Sequence, residues 1–529
     1  ATHSQKPTPP RDSFVITMKH TTLVSAPGKV LMCGGYLVLE KPNIGLVVSV
    51  SARFHAEVST SAAAEVTEDA VLPSLCTDIS FLSPQFGTET TCQFSCNQHP
   101  LRCQLLKIAS EPNPFVDTAV ATSLAVVCGF HKEWNAVQKM LHKQHLHIKV
   151  YADNAFYSQT SYLNRKGLGI TSDSIRSVPN FNDQIRDSEG GIGKTGLGSS
   201  AGLVTSIVGG ILQHFGVIQL PLRSVGSDYV GSRIAESLTL VHIVAQFAHS
   251  FAQGKVGSGF DVCAATYGSG MYTRFNPNVI KEALATFAPS NIDVQHLLKL
   301  LKIDVMEAPA QTLQDWTPPT ECWDHVFTPF ALPKPLALVL ADINQGSSTP
   351  GMVSKVLKWK GSAPTDQIRL WTDLARLNPQ LASLFQQLVR HQDGHGDGYV
   401  QSMAVLCKTE FNRWEDVDAI PDVVKCLTDI RSTFTAIRKC LKQIGEWCGA
   451  DIEPDLQTEL IEATLKVPGV LIAGVPGAGG FDAVFAVVLN DAVRADIEKL
   501  WLDYPSQVVP LVLEEDSYGI LSNGTASDA

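Results

Sequence analysis

The segment Lys194-Thr-Gly-Leu-Gly-Ser-Ser-Ala201 constrains this chain more than any other, because a glycine-rich turn runs directly into an apolar helical repeat at Leu203, Val204, Ile207, Val208, Ile211 and Leu212. Gly196 and Gly198 remove the Cβ atoms that would block a close approach, and Ser199 and Ser200 are favoured N-cap types. The first amides of a helix have no intrahelical acceptor, and the positive end of the helix dipole lies with them. The junction is therefore an anion site, and the reading is a buried helix whose first turn grips a phosphate.

Two common phosphate motifs overlap the segment and fail on context. Gly193-Lys194-Thr195 resembles the end of a Walker A loop, but Ser188 stands five residues before Gly193 where that loop has glycine, and the run Asp183–Glu189 is too polar for a buried strand. Gly191, Gly193 and Gly196 match dinucleotide spacing, again without the leading strand, and the helix opens at the serines instead of among those glycines.

Length and charge narrow the class. At 529 residues the chain exceeds what one core usually serves, and two domains are expected. A formal net charge of −11 offers no basic field for nucleic acid, and no apolar run reaches membrane-span length, so small molecules are the expected partners. An anionic substrate must then be drawn in by local cations and amides, a task that Mg²⁺ can share. Twelve cysteines without a secretory signal read as reduced thiols, with the cytoplasm as the expected location. Cys92, Cys96, His99 and Cys103 form a tight donor set of zinc type, although the spacing departs from paired knuckles and polar neighbours suit a surface strand or loop.

Residues 1–17, with Pro7, Pro9 and Pro10, read as a disordered lead, and Met18 is a possible alternative start. From 18 to 275, β-like runs (Thr21–Ser25, Gly45–Thr60, His147–Ala152) alternate with helical ones (Pro114–Cys128, Leu203–Phe215, Leu238–Phe251), giving an α/β domain. Residues 276–333 read as a connecting segment with short helical patterns such as Val294–Leu301. Residues 334–517 read as an α+β domain, with strands Leu336–Ala341, Val470–Val475 and Ala483–Leu489 and helices Leu370–Arg390, Thr433–Cys448 and Ala492–Trp501. A flexible tail follows from 518 to 529, without a peroxisomal ending.

The Gly-Leu-Gly-Ser-Ser-Ala string resembles the second motif of the GHMP kinases. Ser25-Ala-Pro-Gly-Lys-Val-Leu-Met-Cys-Gly-Gly-Tyr-Leu-Val-Leu-Glu40 resembles their opening motif, and Leu471-Ile-Ala-Gly-Val-Pro-Gly-Ala-Gly-Gly-Phe-Asp482 their C-terminal glycine loop, in the same order along the chain. Within that superfamily, Gly34–Leu39, Lys194–Ala201, Gly254–Asp261 and Gly346–Val353 look most like the fungal and plant phosphomevalonate kinase branch. The resemblance implies a ribosomal-S5-like N-terminal domain, a ferredoxin-like C-terminal one and a cleft between them, in a monomer or homodimer. It implies ATP- and Mg²⁺-dependent phosphorylation of (R)-5-phosphomevalonate. Mevalonate kinase, diphosphomevalonate decarboxylase and a silent regulator on the same fold are the competing readings.

The residue roles implied by the resemblance follow the motifs. Lys29 offsets charge on the transferring phosphoryl group. Asp261, otherwise read as an N-cap, lies near the acceptor, chiefly to orient Lys29 or the metal. Lys194, Thr195, Gly196, Leu197, Gly198, Ser199, Ser200 and Ala201 hold the nucleotide, with Ser199 and Ser200 also offering hydroxyls to Mg²⁺. Lys255, Ser258, Arg274, Ser347, Ser348, Thr349 and Gly479 are candidates for the acceptor, the serine-threonine run before Pro350 being a second helix start. Two departures from the superfamily pattern stand out. Gln246, His249 and Gln253 occupy the neighbourhood where relatives carry a metal-binding glutamate, and Gly35 stands where many carry another glutamate.

Overall fold

The computed structural model describes residues 21–62, 74–109, 113–131, 134–142, 144–186, 191–223, 232–303, 322–344, 346, 349–506 and 508–523. The expected lead at 1–17 lies outside them. Strands β1 (Thr21–Cys33), β2 (Ile44–Ala62), β3 (Ser74–Ser83), β4 (Thr88–Asn97), β5 (Arg102–Ala109), β6 (Gln144–Ala152), β7 (Gly270–Thr273), β8 (Ile292–Asp293) and β9 (Val326–Pro329) build the first sheet. Strands β10 (Ala337–Asp342), β11 (Val470–Gly474), β12 (Ala483–Val488) and β13 (Val509–Pro510) build the second, and β14 (Leu521–Ser522) returns to pair with β1. The first sheet runs β14-β1-β2-β6-β3-β4-β5-β8, with β7 joining β2 to β9; the second runs β11-β12-β10-β13.

Each sheet is formed by the residues that suit its surroundings. Strand β3 alternates buried and exposed positions along its length, the pattern of a sheet with one dry face. Strands β10 and β12 are buried at every position, because helices cover both faces of the second sheet. Helices Pro114–Phe130, Ser199–His214 and Ser232–Ala252 pack over the first sheet, where Val204, Ile207, Val208 and Ile211 meet Val24, Ala56 and Val58, all fully buried. Burial of each such side chain contributes roughly 1.5–3 kcal/mol. A Cβ on Gly210 would come 3.0 Å from Val58 Cγ2, so the glycine lets the phosphate helix lie close on β2.

Two stretches behave differently from the sequence reading. Residues 276–333, expected as a connection, supply β8 and β9, which pair with β5 and β7. Residues 518–523, expected as part of a flexible tail, are anchored: Leu521 and Ser522 pair with β1, and Asn523 N donates to Leu23 O at 2.9 Å. The cause is a buried cation. Arg53 is 3% exposed and donates to Ser25 Oγ, Ser25 O, Gly519 O and Asp516, so the C-terminal segment satisfies a guanidinium that the sheet alone cannot.

Candidate active site

The site begins with an irregularity in β1. The strand does not stop at Ser25 but continues to Cys33, and its pairing with β2 shifts register between Pro27 and Lys29. Such a bulge re-aims a side chain. Lys29 N donates to Leu197 O, and Lys29 Nζ donates to Gly196 O, both at 3.0 Å, so the lysine is threaded into the glycine turn. A Cβ on Gly198 would stand 2.7 Å from Lys29 Cε; the missing side chain is the space the lysine stem occupies.

Gly196 and Gly198 have φ of 74° and 78°, in the left-handed region. Gly198 is the N-cap of helix Ser199–His214, a place the sequence suggested for a serine. Its carbonyl already accepts from Ala201 N and Gly202 N, so the helix starts at Ser199 while the preceding amides stay turned outward. No acceptor among the described residues takes the amide protons of Gly196, Leu197, Gly198, Ser199 or Ser200. Ala201 is excluded from that set by its own bond. Thr195 is excluded too: fully buried, it donates through N to Phe156 O and through Oγ1 to Ala155 O, and so holds the turn from below.

Asp261 is the second residue of helix Phe260–Tyr267, and Gly259, with φ of 85°, takes the N-cap position. Its Oδ1 accepts from Val262 N at 3.0 Å, and its Oδ2 lies 3.8 Å from His249 Nε2. His249 Nε2 in turn is 3.0 Å from Ser200 Oγ and 3.2 Å from Gln253 Nε2. A buried histidine thus links the phosphate turn to the aspartate. Burial lowers the His249 pKa against the opposing pull of Asp261, which keeps the imidazole neutral. Burial likewise pushes the Lys29 ammonium down, and the Asp261 and Asp482 carboxylates hold it up. Lys29 Nζ also stands 5.5 Å from the Phe260 ring centroid.

The opening and closing glycine motifs interlock. Gly477 N donates to Leu31 O at 3.0 Å, and Tyr36 Oη donates to Ala478 O at 2.6 Å. A Cβ on Gly35 would fall 2.5 Å from Gly477 O, which accounts for glycine where other superfamily members carry glutamate. Ser158 Oγ donates to Asn344 Oδ1 at 2.9 Å, bringing the loop after β10 to the residues leading into the phosphate turn.

The acceptor candidates divide. Lys194 and Lys255 are exposed, and neither ammonium has a hydrogen-bond or ion-pair partner among the described residues. Arg274 donates to the carbonyls of Leu39, Val256 and Gly257, and Tyr272 Oη donates to Ser258 O, so both brace the 256–258 loop behind Asp261. Thr349 is exposed at the start of helix Thr349–Lys360; Ser347 and Ser348 lie outside the described residues. Gly479 is buried with φ of 81°, and a Cβ there would meet Ile452 O at 2.0 Å.

The zinc-type set does not assemble as its spacing suggests. Cys96 and Cys103 face each other across β4 and β5, and their third neighbour is Cys128 from helix Pro114–Phe130, all three sulfurs lying within 4.8 Å. Cys92 lies four residues back along β4, and His99 is exposed in the hairpin turn. The cysteines sit in the apolar core beneath the sheet, and all twelve in the chain are free thiols.

Residues that the sequence left without a role, His249 and Asp482, stand beside those that had one. His249 was visible only as a departure from the superfamily pattern, and Asp482 only as the last residue of a motif.

No protein-family model matches the chain. It is 34% identical over 520 residues to a protein of Arabidopsis thaliana named phosphomevalonate kinase, peroxisomal, with 94% of this chain and 95% of that protein covered. It is 31% identical over 530 residues to a phosphomevalonate kinase of Gibberella zeae, with 96% and 98% covered. Among solved structures, the Lin0012 protein of Listeria innocua matches with a TM-score of 0.55 at 15% identity, covering 95% of this chain and 99% of that one. The phosphomevalonate kinase of Streptococcus pneumoniae matches with a TM-score of 0.51 at 13% identity, covering 94% and 100%. Those two likenesses speak to the mixed α/β fold alone. With both curated relatives aligned along nearly their whole length, the chain belongs to the phosphomevalonate kinase family, within the GHMP kinases whose three motifs it carries.

Proposed function

We propose that the site transfers the γ-phosphoryl group of ATP to the phosphate of (R)-5-phosphomevalonate, releasing ADP and (R)-5-diphosphomevalonate. The observation that carries this is the set of uncommitted amides from Gly196 to Ser200, closed on one side by the Lys29 ammonium. The names of the relatives supply the acceptor.

In the transfer, an acceptor phosphate oxygen forms the new bond to Pγ while the bond from Pγ to the β-phosphate bridging oxygen breaks. The acceptor is largely ionised near neutral pH, so removing a proton matters less than overcoming repulsion between anions. The amides of residues 196–200 hold the nucleotide phosphates, and Lys29 neutralises charge as it spreads over the moving group. Asp261 opposes the burial that lowers the pKa of that ammonium, and so favours its charged form. The hydroxyls of Ser199 and Ser200 at the helix start would help hold Mg²⁺, which when bound would offset phosphate charge. Lys194 and Lys255, whose ammonium groups have no partner among the described residues, are the cations we assign to the acceptor's phosphate.

No helix among the described residues is long and apolar enough to cross a membrane. We assign the chain to the cytoplasm, supported by twelve free thiols. The Arabidopsis relative is named peroxisomal, and recovery of this chain with peroxisomes on cell fractionation would overturn that assignment.

A coupled assay of ADP release with phosphomevalonate and with mevalonate tests the function. Activity with phosphomevalonate alone is expected. Activity confined to mevalonate, or release of CO₂ from diphosphomevalonate, would overturn it.

A further inference from the structure

We propose that Cys96, Cys103 and Cys128 form a three-sulfur site for a trivalent, thiophilic metalloid, arsenic(III) or antimony(III), apart from the phosphoryl-transfer site. The proposal does not rest on the kinase reading.

The three thiols come from separate elements and meet at one point. Strand β4 turns Cys92, Phe94 and Cys96 inward, and Cys96 lies directly opposite Cys103 of β5. Cys128 arrives from the last turn of helix Pro114–Phe130. Exposure is 1% at Cys96 and Cys103 and 2% at Cys128. Cys103 Sγ donates to Cys96 Sγ at 3.2 Å, and all three sulfurs lie within 4.8 Å of one another. A zinc-sized centre, with bonds to sulfur of about 2.3 Å, holds its sulfurs roughly 3.8 Å apart, so the cluster suits a single central atom. Cys92 is left out, about 13 Å back along the strand at the usual rise per residue.

Charge selects the ligand. Strand β4 and helix Pro114–Phe130 carry no lysine or arginine. The cations of β5 are committed elsewhere, Arg102 to Asp293 at 3.7 Å and Lys107 to Asp117 at 3.0 Å. The cysteines themselves belong to the apolar core under the first sheet. Three thiolates around Zn²⁺ or Cu⁺ leave a net negative charge, and an uncompensated charge in such a place costs several kcal/mol. Three thiolates around trivalent arsenic are neutral, so the product can stay buried.

The reaction with arsenous acid moves no electrons between atoms of different oxidation state. Each sulfur forms a bond to arsenic as one arsenic–oxygen bond breaks, and the leaving hydroxide takes the thiol proton as water. Three such exchanges release three waters and leave the arsenic trivalent. The entry point is the end of the β4–β5 hairpin, where β5 is flanked only by the two-residue strand β8 at Arg102 and Cys103. Local opening at such a thinly covered edge admits a small neutral hydroxide.

The test is incubation of the full chain with arsenite under a phosphine reductant, which prevents disulfides, followed by gel filtration, native mass spectrometry and arsenic X-ray absorption. The wild type is expected to retain one arsenic that replaces three protons and has three sulfur neighbours. Cys128→Ala and Cys96→Ala should lose the retained arsenic, and Cys92→Ala should keep it. The absorption spectrum of the wild type decides without any variant: two sulfur neighbours, or no retained arsenic, would overturn the proposal. Equal retention by Cys128→Ala would overturn it too, by placing the metalloid on other thiols. Zn²⁺ offered instead of arsenite should not be retained; zinc held by the wild type and released by Cys128→Ala would overturn the choice of ligand.

Discussion

The two glycine loops that meet at the cleft look alike in composition and do opposite things with their amides. In the turn at 194–201, five successive amides from Gly196 to Ser200 have no acceptor among the described residues. In the loop at 477–480, Gly477 N donates to Leu31 O, Gly479 N to Pro476 O and Gly480 N to Ile452 O, and Gln457 closes on Gly480 O. The first loop keeps its donors uncommitted, which suits the anion cradle we propose; the second is a clasp joining the opening motif to the second sheet. Left-handed glycines occur in both, so glycine content does not separate them. What separates them is whether the protein's own carbonyls have already taken the donors.

This contrast is strongest at Lys29, which belongs to the cradle. Lys29→Met keeps an unbranched stem beside Gly198 and removes the charge. Turnover is expected to fall about 10²–10³-fold, the usual cost of losing one donor to a transition-state anion, with the thermal midpoint unchanged or raised because a half-buried cation is gone. Steady-state kinetics beside a melting curve decide it, and retained turnover would remove the lysine from the chemistry.

The next pair of variants sets the loops directly against each other. Gly479→Ala drives a methyl into Ile452 O at a left-handed φ, and about 3 kcal/mol of destabilisation is expected, with KM for ATP unchanged in the folded fraction. Gly198→Ala meets a flexible lysine instead, so stability should suffer by only about 1–2 kcal/mol while KM for ATP rises roughly tenfold. If Gly479→Ala raised KM for ATP and left the melting curve alone, the clasp would have to be redrawn as a second ligand loop.

How much of this was legible depends on the range of the contact. The phosphate helix reads directly from its apolar spacing because helical contacts are local, and Ser199–His214 extends the expected Leu203–Phe215 by one turn at the start. Strand β1 read short, because Pro27-Gly28 looks like a turn in sequence, whereas the sheet carries the strand past it as a bulge. The β4–β5 hairpin hid behind small polar residues that alternate with cysteines, and Cys128 could not be tied to Cys96 by spacing because it arrives on a helix. The motifs sufficed to place Lys29 and Asp261 near the turn. His249 and Asp482 could not be placed there from sequence, since they reach the turn through approaches between distant segments, 49 residues apart in the case of Ser200 and His249.

The smallest expected effect tests the clasp at its rim. Tyr36 sits at φ of 63°, buried to 4% exposure, and its hydroxyl donates to Ala478 O inside the loop whose neighbouring amides are already taken. Tyr36→Phe deletes that one bond and leaves the ring in place, so the cost should be about 1 kcal/mol, near the net worth of a single neutral hydrogen bond. The bond closes the loop onto the opening motif at a point separate from the amides of 196–200, so KM for ATP should not move. A change in KM larger than about twofold would mean that the clasp transmits strain to the cradle through Leu31 and Lys29 on the same strand, and the two loops would then have to be treated as one unit.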